Sequence, residues 1–534
     1  MKKVFTCKKF LILLLSALLF FLSACGTPEK AEKDLTGELT EYENTNEAPT
    51  SGGTLRLGFV GSKTLNPLNV KNQNNLYILN LIFDSLFQIS PSDAVESNLC
   101  ERYVISPDGL NYEFVIKKGI HFHNGVSLTA NDVDATLAFL LAGDGAYKNK
   151  LSNIADHHSS GASVFVTLDK PVVNFTSLLD FPILSAADLT LGATEYVPNG
   201  TGRYKVQSYK VSKELFLTKN ENYHKSFSPY ISEIHVDFLK DNEAAVSMLE
   251  NFQIDLLTSD VLNLSGYTPK RKLSSVSFAN GLLTFIGFNN QNPALLSSKT
   301  RQALSMAIDR TSLLQATSVK YASVTDLPFP TSCFWYDSDS PFVSFDSDGA
   351  HKLLSDDGWQ DSDGDGILDK TVYGEKIDLV LNILVNDESV TKKKIADFVN
   401  KSFDEIGVKS QIVSLPFADY QTLISERTFD VFVGQTQLTP NYDISFLVKT
   451  DENVCGISNE RIDQALNALV LQESTTQKQS LFYELGEVLK TESQIAGLYI
   501  ENRVLIFDPH LKGNITPSNS DIFYGIENWF ISEH

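Results

Sequence analysis

The longest apolar run of the chain stands at its start, from Phe10 to Leu22, relieved only by Ser16 and Ala17, with Lys2, Lys3, Lys8 and Lys9 ahead of it. At about 13 residues it suits a secretory h-region and is too short to cross a bilayer comfortably. No later segment stays apolar for the roughly 18 residues that a membrane span needs. The remainder of the 534 residues must therefore bury its apolar side chains against one another, in short strands and helices. A chain of this length supports two or more lobes with sizeable cores. Hydrophobic residues make up 42% and charged residues 21%, the balance of a globular chain rather than a disordered one.

The small residues that follow the run leave the chain open to a signal peptidase, and Leu22-Ser23-Ala24-Cys25 resembles the bacterial lipobox, whose cysteine is acylated and becomes the first mature residue. Residues 1–24 are expected to be a lipoprotein signal and Cys25 the lipidation site, which places the rest at the extracytoplasmic face of the cell membrane. Residues 25–51 are polar, rich in Glu and Thr, and read as a flexible linker. The net charge of −22 becomes about −26 once the four lysines leave. Such a surface argues against nucleic acid, which needs clustered Lys and Arg, and leaves membrane attachment to the lipid anchor. Among five cysteines, Cys7 goes with the signal; Cys100, Cys333 and Cys455 lie far apart without a CxxC, so one disulfide at most is possible and none is expected.

Past the linker, the alternation of Gly53 to Val60 reads as a strand, and Leu76 to Phe87 as an apolar helix. Tyr103-Val104-Ile105 and Tyr112 to Ile116 flank the turn Ser106-Pro107-Asp108-Gly109, a hairpin signal. Thr129 to Asp132 has capping-box spacing before an amphipathic helix carrying Val133, Leu137, Leu140 and Leu141. Further strands are expected at 164–166, 215–217, 234–238, 282–286, 377–381 and 409–413. Helices are expected from Ser297 or Ser298, over 391–405, and around Leu481 to Leu489.

Five stretches, in order, resemble the extracytoplasmic solute-binding proteins of peptide- and nickel-type ABC importers. Ser106 to Gly109 followed by Lys117 to Val133 is similar to the signature "kgvkFhdGtpltAeDV". Pro198 to Tyr204 is similar to a "GTGpY" turn, with Asn220 and Tyr223 behind it. Ile286 to Asn289 and Arg301 to Arg310 resemble "vRqAlayAiDr". Phe345 to Trp359 resembles "yDp.kAk.LL.eaGw", and Asp361 to Ile367 the "DsdGDGi" turn after it. The resemblance runs from about residue 53 to the C-terminus. It implies an α/β, type II periplasmic-binding-protein-like fold: lobe I from 52–90, 191–287 and 497–534, an extra subdomain over 91–190, and lobe II over 288–496. The chain would cross between lobes near 285–290 and 496–501.

In peptide-binding relatives a "fD....gW..D...DP..fl" segment lines the cleft, and its first Asp after the Trp can pair with a peptide's ammonium group. Here Gln435 stands about where that Trp is expected, and Thr439-Pro440-Asn441 replaces the acidic stretch. Gln435, Asn441, Tyr442 and Asp443 are the candidate ligand contacts; Asp443 either meets an ammonium group or caps the helix that follows. Trp335, with Phe334, Tyr336 and Phe345, either lines a solute pocket or packs a loop.

Asp361, Asp363, Asp365, Gly366 and Asp369 match five positions of an EF-hand loop, but Val372 stands where its bidentate Glu belongs. The pairs His121/His123 and His157/His158 have metal-compatible spacing inside scaffold or polar-loop sequence. No metal site and no cofactor are expected. No nucleophile elbow, Walker loop or HExxH occurs, so no catalytic residue is assigned. The resemblance implies a lipid-anchored, monomeric receptor that captures a small solute, most simply an oligopeptide, and hands it to a permease and its ATPase. Nickel chelate, haem, a sugar oligomer or a signalling peptide are the rival ligands, and a surface-anchored enzyme or adhesin the rival class.

Overall fold

The computed structural model describes residues 37–532 apart from 45–46, 62–63, 144–145, 192–195, 227–228, 263 and 265. The signal run, the lipobox and Cys25 lie outside the described residues.

Two strands organise the molecule. Leu273–Phe288 spans 16 residues and Ile495–Phe507 spans 13. They run antiparallel, with Ser274 to Ala279 facing Asn502 to Phe507, a register shift between Ala279 and Leu283, and Leu283 to Gly287 facing Ile495 to Ile500. Gly281 takes the shift with a φ of +80°, a conformation that costs other residues dearly. On one side of the shift these strands pack with Leu249, Ile254 and Leu257. On the other side they pack with two clusters drawn from residues between 283 and 500, apart from Val173, which joins from outside. The result is a two-lobed, type II periplasmic-binding-protein-like α/β fold. The two strands belong to an eight-stranded sheet, ordered Leu256–Thr258, Ile495–Phe507, Leu273–Phe288, Val431–Gln437, Val380–Asn386, Lys409–Leu415, with Leu39–Glu41 and Ala322–Val324 beside the long pair.

In the first lobe, Thr54–Val60 pairs in parallel with Glu233–Leu239, and Glu214–Lys219 and Tyr204–Lys210 continue the sheet antiparallel. A second four-stranded antiparallel sheet runs Cys100–Ile105, Asn111–Ile116, Ser163–Leu168, Ile154–Ser160. The hairpin at 106–109 forms as its residues predict, with Gly109 at φ +72°.

Three local expectations change. The helix read over Leu76 to Phe87 is Gln73–Leu79, started by the Asn72 side chain. It stops because the carbonyls of Leu81 and Ile82 accept Tyr204 N (3.0 Å) and Gly202 N (2.8 Å) from a distant segment. The strand read over 377–381 divides: Glu375–Asp378 pairs with Asp369–Val372, and Val380–Asn386 joins the large sheet. The third change is in the linker, where Leu39–Glu41 lies in register with Leu273 to Ser275 and the Tyr42 hydroxyl donates to Gly513 O at 2.8 Å. That part of 25–51 is bound to the sheet edge rather than flexible, because Leu39 and Tyr42 find apolar partners there.

The helix Ala130–Ala142 starts at Thr129 as the capping pattern predicts. The Asp132 carboxylate accepts Thr129 N (2.9 Å), Thr129 Oγ1 (2.7 Å) and, across the domain, Ala186 N (2.9 Å). Asp132→Ala strands these donors beside a buried position and is expected to lower unfolding free energy by about 2–3 kcal/mol. Urea denaturation checks this; an unchanged midpoint refutes it. Cys100, Cys333 and Cys455 are buried free thiols.

Candidate functional site

A cleft opens where the second lobe's Gln437 to Pro440 faces the first lobe. One part is a cavity of about 300 Å³ between that segment, the helix Gln73–Leu79 with its approach from Leu68, and Lys150, Asp180, Arg503 and Asn519. Beside it a cavity of about 420 Å³ separates Asn149, Asn153, Lys170 and Val172 from Thr436, Asp443, Phe446 and Glu452. Lys150, Gln437 and Thr439 line both, so the two form one elongated groove. A third recess, by Asp84, Arg203 and Asp521, holds only about 40 Å³ and is closed by its own Arg203–Asp521 pair at 2.7 Å.

The groove's first part is rich in amides: Asn72, Gln73, Asn80, Asn280, Gln437 and Asn519 line it. An amide side chain carries both a donor and an acceptor, the pairing that a ligand's peptide backbone requires; Asn72, Asn80, Asn280 and Gln437 each use one of theirs within the protein, and Asn519 uses both. Gln437 Nε2 is held on Asn280 O at 2.8 Å, tying the second lobe to the register shift of the long strands. Phe446 is 41% exposed and puts an aromatic ring on the wall of the second part.

The residues expected to touch ligand divide. Asp443 lines the groove, and its carboxylate accepts Ser445 N at 3.0 Å, at the start of Ser445–Val448. It thus caps that turn while keeping an edge toward the cavity. Asn441 lines the same wall but is 3% exposed, and its Nδ2 donates to Val173 O at 3.1 Å. Gln435 is exposed on the sheet and reaches Thr284 Oγ1 and Glu501 Oε1, both at 3.4 Å, outside the two cavities. Trp335 and Tyr442 correct the expectation: both are buried in the second lobe's core. Trp335 packs on Phe482 with ring centres 4.5 Å apart and planes tilted by 40°, where the loop's apolar side chains are drawn inward. Lys71, Lys150 and Arg503 line the groove without having been singled out from sequence. They come from segments that no motif links.

Tyr442 has a different task. Its hydroxyl donates to Asp93 Oδ2 at 2.8 Å, joining the second lobe to the segment before the Cys100–Ile105 strand. Burial pushes the Asp93 carboxyl up to about 6, against the pull of the Tyr442 hydrogen bond, and burial likewise raises the Tyr442 phenol. Phe334 N donates to Ser92 O at 2.9 Å, and Lys478 Nζ to Asn174 Oδ1 at 2.8 Å. With Asn441 on Val173, these bonds form a seam between the 91–190 region and the second lobe.

The histidine pairs do not converge. His157 Nδ1 contacts the Asp134 carboxylate, His158 stacks on Phe165 at 5.0 Å within the strand Ile154–Ser160, and His123 Nε2 lies 3.1 Å from Gly202 O. Asp361, Asp363 and Asp369 bring oxygens within 4.8 Å of one another. Lys376 already places its ammonium on Asp363 and 3.4 Å from Asp369, and Asp361 accepts the N–H groups of Gly364, Asp365 and Gly366. The turn holds itself together with its own donors.

A family model described as bacterial extracellular solute-binding proteins, family 5, matches residues 94–453. Among individual proteins, the chain is 26% identical to the oligopeptide-binding protein AppA of Bacillus subtilis (strain 168), over 98% of this chain and 99% of the relative. It is 22% identical to the glutathione-binding protein GsiB of Salmonella choleraesuis (strain SC-B67), over 85% and 90%. Among solved structures, HbpA2 from Haemophilus parasuis superposes with a TM-score of 0.68 at 20% identity, over 90% of this chain and all of that one.

Proposed function

The chain belongs to family 5 of the bacterial extracellular solute-binding proteins, substrate-binding receptors of ABC transporters rather than enzymes, and from that premise we infer that it captures oligopeptides in the groove between its lobes. The observation that carries this reading is the groove itself: amide side chains along one part, an exposed Phe446 along the other, and walls from both lobes. Amides hydrogen-bond a main chain whatever its side chains, and an aromatic face accepts varied apolar groups. Binding and release follow from a difference in affinity between two lobe arrangements, not from chemistry. The loaded receptor then meets a permease and its ATPase as a monomer, held at the extracytoplasmic face of the membrane through lipid on Cys25.

The test is native mass spectrometry of the freshly purified protein, followed by mass analysis of the denatured extract. A set of peptides, displaced by added oligopeptide, is the expected result. A single metal chelate or haem mass, indifferent to peptides, overturns the peptide assignment. Phe446→Ala is expected to weaken peptide binding by about 5- to 30-fold, the loss of one stacking face of about 1–2 kcal/mol. Calorimetric titration checks it, and equal affinity removes Phe446 from the site. Growth of labelled Cys25→Ser cells should find the protein in the medium rather than in the membrane fraction.

A further inference from the structure

We propose that the seam between the 91–190 region and the second lobe is a latch, which holds the lobes together more firmly in acid than at neutral pH. The inference goes beyond peptide capture and does not rest on it.

The 91–190 region shares a core with the first lobe: Phe114, Ile116 and Val164 lie in one apolar cluster with Leu55, Tyr77 and Tyr204. A packed core moves as one body, so this region travels with the first lobe. The groups facing it across the seam belong to the second lobe. Tyr442 OH donates to Asp93 Oδ2 (2.8 Å), Phe334 N to Ser92 O (2.9 Å), Asn441 Nδ2 to Val173 O (3.1 Å) and Lys478 Nζ to Asn174 Oδ1 (2.8 Å). The hairpin tip joins them, since a Cβ at Gly109 would stand 2.7 Å from Val470 Cγ1. None of these residues belongs to Leu273–Phe288 or Ile495–Phe507, the strands that connect the lobes. When the lobes part about those strands, the seam must break.

Two seam groups can carry charge, and neither forms an ion pair among the described residues. Asp93, partly buried, faces the Tyr442 phenol and the Cys333 thiol. Burial raises both of these, so they stay protonated. Lys478 is 6% exposed and faces the Asn174 amide, with Glu473 beyond ion-pair distance. Closing the seam takes water from both groups without supplying a counter-charge. Burial therefore lifts the Asp93 carboxyl to about 6 and lowers the Lys478 ammonium to about 8.

Parted lobes return the two groups to water and to their ordinary values of 3.8 and 10.5. As pH rises from about 4 through about 6, the open arrangement releases the Asp93 proton first. The closed-to-open ratio then drops by up to about 100-fold, the equivalent of two units. Lys478 is charged in both arrangements below about 8, so its effect is constant over that span. The latch is weakest between about 6 and 8, where both groups are charged inside it.

The experiment follows amide hydrogen exchange in the full-length protein, purified in detergent and freed of bound ligand by dialysis, at pH 4.5 and 7.5. Rates are corrected for the intrinsic pH dependence of exchange. The Phe334 amide, which closes on Ser92 O, reads the latch. Its protection should fall about 10- to 30-fold between the two pH values. It should also exchange at least about 100-fold faster than the amides of the core strand Val431–Gln437, because the seam opens while the lobes stay folded. Asp93→Asn should hold the protection at pH 7.5 near the parent's value at pH 4.5. Tyr442→Phe, which keeps the ring and loses the donor, should lower it severalfold at pH 4.5. Equal protection of Phe334 in the parent at both pH values overturns the latch, as does a fall that survives in Asp93→Asn. Protection of Phe334 equal to that of the core strand overturns it too, since the seam would then break only on global unfolding.

Discussion

Gly200→Val is expected to unfold the first lobe. A Cβ at Gly200 would stand 2.0 Å from Ile82 O and 2.7 Å from Ile82 C, and one at Gly202 would stand 2.5 Å from Ile82 C. These are backbone atoms, and they cannot withdraw. Ile82 O accepts Gly202 N at 2.8 Å and Leu81 O accepts Tyr204 N at 3.0 Å. Between the glycines, Thr201 Oγ1 donates to Asp84 Oδ2 at 2.9 Å, inside a buried group with His224 and Tyr223. His224 and its neighbouring cations hold the Asp84 carboxyl well below the usual range despite its burial. Overpacking into a yielding apolar core costs about 1–3 kcal/mol. Overpacking against a fixed backbone, with a buried polar network behind it, should exceed about 4 kcal/mol, a large part of a typical total stability. Denaturant unfolding followed by tryptophan fluorescence measures this. A Gly200→Val protein with the parent's midpoint would show that the strand and helix segments part easily here. The glycine pair of the "GTG" turn is thus explained by close approach, not by backbone torsion; neither residue has a positive φ.

The contribution of Asp93 to stability should fall as pH rises from about 4 to about 6, and Asp93→Asn should remove that fall. Asp93 has a pKa of about 6 in the seam against an ordinary 3.8, with burial as the cause. Between those values the native protein holds a proton that the unfolded chain has released. The native state therefore binds more protons, and its stability drops with increasing pH. The contribution is fully present below about 4, is lost as pH rises through about 6, and is absent at 7. A shift of about two units corresponds to roughly 3 kcal/mol. The groups facing Asp93 are Tyr442, which donates to it at 2.8 Å, and the buried Cys333 thiol; neither supplies a cation. Asn keeps the acceptor for Tyr442 and tolerates the φ of +63° at this position. Unfolding free energies of parent and variant at pH 5 and pH 7.5 decide the matter. Parallel changes in the two proteins would clear Asp93.

What could be read from the sequence is local. Caps, turns and amphipathic faces such as Thr129 to Asp132 and Ser106 to Gly109 carry their instructions within a few residues, and the structure follows them. Readings that failed were decided from far away. The helix expected to reach Phe87 ends at Leu79 because residues 202 and 204 claim its next carbonyls. Leu39 looked like spacer because its partner, Leu273, lies across the sequence. The groove suffers most from this. Lys71, Lys150 and Arg503 share a cavity, yet no spacing could bring them together on paper. Trp335 shows the converse: an aromatic loop residue fits a pocket or a core equally well by type, and only packing against Phe482 separates the two.

The long strands also determine how the molecule moves. Where lobes hang on loops, the joint is slack, and the angle between them is set by whatever touches at the far side. Here the joint is a pair of hydrogen-bonded strands continuous from one lobe to the other, interrupted by register shifts at Ala279 to Leu283 and at Thr284 to Phe285. Such a joint is a leaf spring: it bends by added sheet twist, stores elastic energy as it does so, and returns along the same path. Gly281 is its thin point. On the proposed reading of capture between the lobes, ligand release would be a recoil, its speed set by the stiffness of a few residues that the ligand never meets.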